Sequence, residues 1–409
     1  MTKTMKKYFL FLFILSSFSF WAQDIKFSTK DNDIKLASLP YYNFGRGLGL
    51  TAPDSLFQFN IRFRMQNRMT YLQNDAGDEI YDGQIRRLRL RFDGYVGNPK
   101  FLYAIQLSFA PGDIGTVQEG DNVNIIRDAV VFYRPNRNWS FAFGQTKLPG
   151  NRQRINSSGA LHLTDRSINN ARFNIDRDFG WQAYYLQSQN DQFSYNIKTA
   201  LSTGNGRNVT KEPDNGFAVT GKVELYPLGA FTKDGSFFEG DIVREPKPKL
   251  MVSGVFHRNV NARLTQGQLG FELYEKKTME SVLLDAMLKY KGWAFMTAYM
   301  NRMANDPIAR NPLDTTEFNY VFVGEGLDYQ LSYIFLNNME VVGRFSTQNV
   351  NPEIQAFTPD VQTYTLGFTK YIWEHSFKIQ TELTYDQLNY FDGTTKNNWL
   401  VRFQVEIGI

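Results

Sequence analysis

Arginine carries the sharpest chemical signal in this sequence of 409 residues. Arg62, Arg64 and Arg68 recur at even spacing, with Phe63, Met65 and Met69 among their neighbours. Arg87, Arg89 and Arg91 repeat the spacing of two. On a β-strand such residues share one face, with alternate side chains about 6.8 Å apart. Two neighbouring strands of this kind would set six guanidiniums in a two-column ladder. A guanidinium is always charged, and its fork matches phosphate or carboxylate oxygens. Low-dielectric walls around a narrow water channel concentrate its potential, and rows of Arg and Lys are how anion pores select. The other reading is structural: these arginines would pair with luminal carboxylates such as Asp93 and Asp128 and stiffen the wall.

A second basic region follows. Residues 127–177 hold nine Arg or Lys against three Asp, with Lys147, Arg152 and Arg154 at the start of a stretch rich in Asn and Ser. A connection of about thirty residues without apolar periodicity usually has a functional reason. Folded inward, residues 148–178 would narrow a lumen with basic and hydrogen-bonding groups. Left outside, they would bind the acidic sugars of lipopolysaccharide. The remaining candidates are weak. His162, His257 and His375 lack ligand spacing, and the chain has no cysteine, so neither a metal nor a catalytic centre is expected. Gly45-Arg46-Gly47-Leu48-Gly49 lacks the preceding strand and following helix of a dinucleotide motif. It reads as a flexible lead-in, and no cofactor is expected. Of the formal charge of +4, three charges lie in the first seven residues, so bulk charge points to no nucleic-acid partner.

The elements that must hold these residues are strands. In Phe57, Phe59, Ile61, Phe63 and Met65 every second residue is apolar, with Gln58, Asn60, Arg62 and Arg64 between them. The pattern returns at 88–93, 101–109, 139–144, 193–202, 217–225, 377–385 and 399–409. It is less clean at 126–134, 179–187, 249–257, 281–290, 293–301, 325–334, 339–347 and 362–371. The total is about sixteen strands of roughly ten residues, the length of a tilted strand crossing a bilayer. Short and long connections alternate. The long ones are expected at 72–83, 111–125, 148–178, 203–216, 258–280, 302–320, 348–361 and 387–397. One connection, 227–248, is long in a short position, so it is either an ordered excursion or an unrecognised strand pair. Mean hydropathy is −0.40, which excludes a bundle of apolar helices. A soluble all-β fold would have to bury the charged faces, at several kcal/mol for each ion. A water-filled lumen removes that cost. Aromatics make up 15% of the chain, and Trp139, Trp181, Trp293 and Trp399 suit interfacial girdles. Lys3, Lys6 and Lys7 before the apolar run Tyr8–Phe20, then Ala22, read as a secretory signal peptide over 1–22. A periplasmic N-terminal extension over 23–53 and a single transmembrane barrel over 54–409 follow.

The sequence also resembles the phosphate-selective porin O and P family over roughly residues 45–409. The pieces that carry the resemblance are Ile85-Arg86-Arg87-Leu88-Arg89-Leu90-Arg91-Phe92-Asp93-Gly94, Tyr103-Ala104-Ile105-Gln106-Leu107-Ser108-Phe109-Ala110, Arg127-Asp128-Ala129, Phe143-Gly144-Gln145-Thr146-Lys147-Leu148-Pro149, Arg177-Asp178-Phe179-Gly180 and Tyr226-Pro227-Leu228-Gly229-Ala230-Phe231. It implies an all-β, transmembrane antiparallel β-barrel of about 16 strands, with a long inward-folded third external loop. It also implies a homotrimer and passive diffusion of small anions, phosphate or polyphosphate-like, past basic side chains. The expected function is therefore an outer-membrane porin and not an enzyme. Its expected pore-lining residues are Arg62, Arg64, Arg68, Arg87, Arg89, Arg91, Lys147, Arg152 and Arg154. Its surroundings would be outer-membrane lipid and lipopolysaccharide. The alternatives are a non-conducting anchor, assembly or adhesin barrel and, less favoured, a barrel lipid hydrolase, which would need Ser and His together at the lipid-exposed rim.

Overall fold

The computed structural model describes residues 47–52, 56–114, 124–187, 191–209 and 215–409. The expected signal peptide, and all of the expected extension except residues 47–52, lie outside the described residues. Sixteen strands form the wall: β1 Phe57–Gln73, β2 Glu79–Val96, β3 Asn98–Ser108, β4 Ile126–Tyr133, β5 Trp139–Lys147, β6 Arg177–Gln187, β7 Ser194–Ser202 and β8 Phe217–Tyr226, then β9 Lys249–Leu264, β10 Glu272–Tyr290, β11 Trp293–Ala304, β12 Gly324–Ile334, β13 Met339–Val350, β14 Asp360–Trp373, β15 Phe377–Asn389 and β16 Thr395–Gly408. Each pairs antiparallel with the next. β16 returns to β1, from Trp399↔Gln73 to Gly408↔Arg64, so the sheet closes. Closure is what a lipid-facing sheet requires, because hydrocarbon offers no partner to an open edge.

The period of two decides which side is wet. On β1, Phe57, Phe59 and Phe63 face outward, while Asn60, Arg62, Arg64, Gln66 and Arg68 are buried inside the ring. The four girdle tryptophans also face outward. An even strand number brings the start of β1 and the end of β16 to one rim. That rim carries the short connections, such as 97, 291–292 and 374–376, which marks it as the periplasmic side.

Two expectations need correction, and one open alternative is decided. The long connections expected at 72–83, 258–280 and 387–397 are largely strand: β1 runs to Gln73 and β2 starts at Glu79, β9 and β10 extend to Leu264 and Glu272, and β15 and β16 meet around 390–394. Beyond the hydrocarbon both faces are wet, so alternation disappears while the backbone ladder continues. Residues 47–49 are not a lead-in detached from the wall. Leu48–Thr51 is a strand that pairs with β1 from Leu48↔Ile61 to Thr51↔Gln58, covering the stretch of β1 that β16 leaves bare. Connection 227–248 hides no strand pair; it holds the 3-10 segment Thr232–Phe237.

The inner faces differ around the ring. On β9 to β13, Met251, Val255, Leu283, Met287, Met300 and Val342 point inward and are buried. They share those inner faces with Asp285, Lys289, Gln330 and Arg344, and this mixture is why the alternation of these strands is dull in the sequence.

Facing can be tested on β1. A water-soluble thiol reagent should label single cysteines placed at Asn60, Arg62 and Arg64 but not at Phe59, Ile61 or Phe63. Ile61→Arg should destabilise the barrel by about 2–4 kcal/mol if the position lies at midplane, measured by urea unfolding in lipid. Labelling without alternation would refute the assignment of faces.

Candidate functional site

The two arginine columns lie side by side. The β1–β2 register sets Arg62 opposite Arg91 and Arg64 opposite Arg89, with Arg87 opposite Gln66. Arg68 stands apart, opposite Gln84, and donates to Gln404 on β16 and to Asp165. A register shift between Gln66 and Asn67 marks a β-bulge in β2. The bulge breaks the alternation, so Arg86 joins Arg87 on the inner side. Strict period-two counting assigns Arg86 to lipid and therefore misses it.

Carboxylates bridge the columns. Arg62 and Arg91 share Asp93 at 2.6 and 2.9 Å. Arg89 and Arg127 share Asp113 at 2.8 and 3.0 Å. Arg177 holds Asp128 at 2.9 Å. The structural reading of the arginines therefore has substance, but the acids are too few. A cavity of about 260 Å³ is lined by Arg62, Arg64, Arg86, Arg87, Arg89, Arg91, Arg127, Lys147, Arg154, Arg166, Arg177 and Arg207, against Asp113, Asp128 and Asp176. Twelve cations thus face three anions. Among the described residues, Arg87 Nη1, Arg127 Nε and Arg207 Nη1 are buried donors without an acceptor.

Residues 148–176 supply the facing side of this cavity. Ser157 and Ser158 accept from Arg64 at 2.7 and 2.6 Å. Ser158 Oγ also accepts from Arg87 at 2.9 Å and Arg89 at 3.2 Å. Asp165 binds Arg68 and Arg86 at 2.9 and 3.0 Å. Burial pushes the Asp165 carboxyl up, but Arg86, Arg87 and Arg68 outweigh it and hold it below the usual carboxylate range. Burial and the adjacent Arg154 pull Arg166 down to about 9, so it stays charged at neutral pH. Lys147 donates to the carbonyls of Ile155 and Asn156, and Arg154 pairs with Asp176 at 2.6 Å.

Of the nine residues expected in the pore, the cavity gathers Arg62, Arg64, Arg87, Arg89, Arg91, Lys147 and Arg154. Arg68 touches its margin through Asp165. Arg152 is the correction. It is fully buried on the far side of the segment, bound to Glu224 of β8 at 2.5 Å and stacked over Phe237. Charge and position gave no way to tell Arg152 from Arg154, because the short helical turn Arg152–Ile155 points them to opposite sides. Arg127, Arg166, Arg177 and Arg207 join the cavity although they are scattered in sequence.

Residues 59–212 match the family model described as phosphate-selective porin O and P. That span runs from β1 to just beyond β7 and contains nearly the whole cavity lining. The fold resembles the outer membrane channel DcaP of Acinetobacter baumannii, with a TM-score of 0.54 and 13% identity over 88% of this chain and 99% of that one. It equally resembles Salmonella typhi OmpF, solved in complex with daunomycin, with a TM-score of 0.54 and 12% identity over 88% of this chain and all of that one. At these identities the likeness establishes the fold, a closed porin-type barrel. No curated protein matches the chain. The family match and the architecture together support an outer-membrane channel.

The two arginines of one helical turn should separate in stability measurements. Arg152→Ala leaves Glu224 buried without its closest donor and should cost about 1–3 kcal/mol on urea unfolding. Arg154→Ala removes a part-exposed side chain at the cavity surface and leaves Asp176 with Arg177, so it should cost less. Equal effects would contradict their opposite placement.

Proposed function

We propose that the protein is an anion-preferring outer-membrane porin, with phosphate-like oxyanions as its favoured class. One observation carries this reading: the excess of cations around the cavity between β1–β6 and residues 148–176. Three guanidiniums converge on Ser158 Oγ, an oxygen with two lone pairs. The more strongly accepting oxygens of an anion would suit those donors better. The forked geometry of guanidinium favours bidentate phosphate or carboxylate, and the description of the matching family names phosphate.

Residues 148–176 are read as the constriction, lying across the lumen. Supporting this are hydrogen bonds to wall residues all around the ring: to Arg64 on β1, Glu224 on β8, Asp328 on β12 and Glu382 on β15. A loop lying outside on lipopolysaccharide would not reach them. Neither an enzyme nor a mere anchor fits as well. The three histidines are buried, His162 on Glu340, His257 on Thr220 and His375 against Phe238, and none stands at a lipid-exposed rim. Barrels of this kind are expected as homotrimers. Trp139, Phe141, Phe143, Phe179 and Trp181 form a ring-stacked patch on the outer faces of β5 and β6, which a second copy would cover as well as lipid would.

Planar-bilayer recording tests the reading. Replacing Arg87, Arg89 and Arg91 with Gln should shift the reversal potential in a salt gradient toward cations. Deleting part of 148–176 should raise single-channel conductance, because the narrowest section limits flow. Changing Lys147 and Arg154 to Glu should abolish inhibition of chloride current by phosphate. An unchanged reversal potential and conductance across these variants would defeat the proposal. The assembly is checked separately: light scattering in detergent should give three chains per particle, and a monomer would remove the trimer.

A further inference from the structure

The connection 227–248 belongs to the periplasmic rim, yet it does not stay there. Its first residues pack on inner-face side chains: Phe231 joins Tyr226, Met251, Met287 and Met296 in a buried cluster. Lys289, near the end of β10, donates to the carbonyls of Gly235, Phe238 and Gly240 at 2.8, 2.8 and 2.7 Å. The Phe238 ring then stacks on His375, 4.4 Å away, in the turn between β14 and β15. The chain returns through Asp241, which accepts from Gly292 N at 2.7 Å, and through Arg244, which donates to the carbonyl of Ile334. The excursion thus crosses from β8 to the β14–β15 turn and back to β9. It leaves the wall at β1–β6 untouched by any of these bonds.

At its innermost point it meets residues 148–176. The backbone N–H of Glu239 donates to the carbonyl of Ala160 at 3.1 Å. Its carboxylate accepts from Gln153 Nε2 at 3.1 Å, from His162 N at 3.0 Å and from Gln330 Nε2 of β12 at 3.2 Å. Glu239 is 1% exposed. A buried carboxylate that collects three donors, two from residues 148–176 and one from the wall, is a latch, since removing it would strand those donors.

We propose that connection 227–248 is a second inward segment, latched by Glu239 to residues 148–176, which closes the β8–β15 half of the lumen and confines permeation to the arginine wall of β1–β6. This rests on the reading above that 148–176 lies in the lumen. Two further observations agree. The closed half is the one where β9 to β11 turn Met251, Val255, Leu283, Met287 and Met300 inward, apolar surface that water would not solvate favourably. That half holds Glu224, Asp285, Asp328, Glu340 and Glu382, which bind Arg152, Arg152 N, Ser167, His162 and Thr164, among buried Lys222, Lys289, Arg344 and Lys378. Closing that half takes a wall of mixed charge out of the path of the ion and leaves it the arginine-rich side, so the latch sets selectivity without touching a permeating anion. Glu239 is a positioning residue in this sense.

The test uses the full-length protein in planar bilayers. Glu239→Ala, and a variant with 232–240 replaced by a Gly-Ser chain of equal length, should show raised conductance together with weakened anion preference, because a second path of mixed charge opens beside the arginine-rich one. Loosening of the barrel alone would not move the selectivity in that direction. The native chain has no cysteine, so Phe238→Cys with His375→Cys reports position independently. Oxidation or a short bis-maleimide should join the pair within folded, heat-modifiable barrels. Absence of that cross-link would overturn the proposal, as would wild-type conductance and reversal potential in both Glu239 and 232–240 variants. If deletion within 148–176 raises conductance and these variants do not, this proposal alone fails. If that deletion too is silent, the constriction reading fails with it.

Discussion

Between β16 and β1 the backbone closes its hydrogen-bond ladder on itself, from Trp399↔Gln73 to Gly408↔Arg64. In hydrocarbon an unpaired peptide group costs several kcal/mol, so no open edge of the sheet could face lipid. Leu48–Thr51 fills the stretch of β1 that β16 does not reach, and Ile409 N donates to the carbonyl of Phe63 at the junction. Once the ring is closed, the outer face must be apolar and the inner face becomes the only place for charge. Both the arginine wall and the acids opposite it follow from that division.

A crowd of like charges then has to be held in place. Arg62 and Arg91 sit directly across from each other, as do Arg64 and Arg89, an arrangement that repels unless carboxylates intervene. Asp93, Asp113, Asp128 and Asp165 do so, and Asp93, Asp113 and Asp165 each serve at least two guanidiniums. Sharing is the physical compromise: the acids order the wall, and their shortage leaves it net positive. Structural pairing and a net positive wall are therefore two consequences of one ratio of cations to carboxylates.

Residues 148–176 contact the two sides of the ring differently. Residues 148–176 turn Arg154, Ser157 and Ser158 toward the arginines and Arg152, Ser167 and Asn169 toward the acids of the opposite wall. An apolar core joins that segment, β9 to β11 and the connection before β12, with Leu148, Phe173, Ile175, Leu283, Met300 and Phe322 in one cluster. An apolar cluster thus lies on one side of the ring and the arginine-lined cavity on the other. Which half is which is written into the inner faces of the strands: methionine and leucine on β9 to β11, arginine on β1 and β2.

The sequence alone determined the barrel, its strand number and the outward face, because lipid on one side and water on the other impose a period of two that needs no knowledge of neighbours. It also determined the columns Arg62, Arg64 and Arg87, Arg89, Arg91, since alternate residues share a face on any strand. The dull alternation of 281–290 and 293–301 was visible too, but it has two causes in sequence terms, an ill-formed strand or a covered inner face, and only the packed segment distinguishes them. Tertiary structure alone decided that Arg86 turns inward, because a bulge shifts register without changing composition. It alone separated Arg152 from Arg154, because the direction of a side chain on a single helical turn depends on what lies on either side. It alone brought Arg127, Arg166, Arg177 and Arg207 to one cavity, since closing a ring joins residues whose separation along the chain carries no trace of their distance across the lumen.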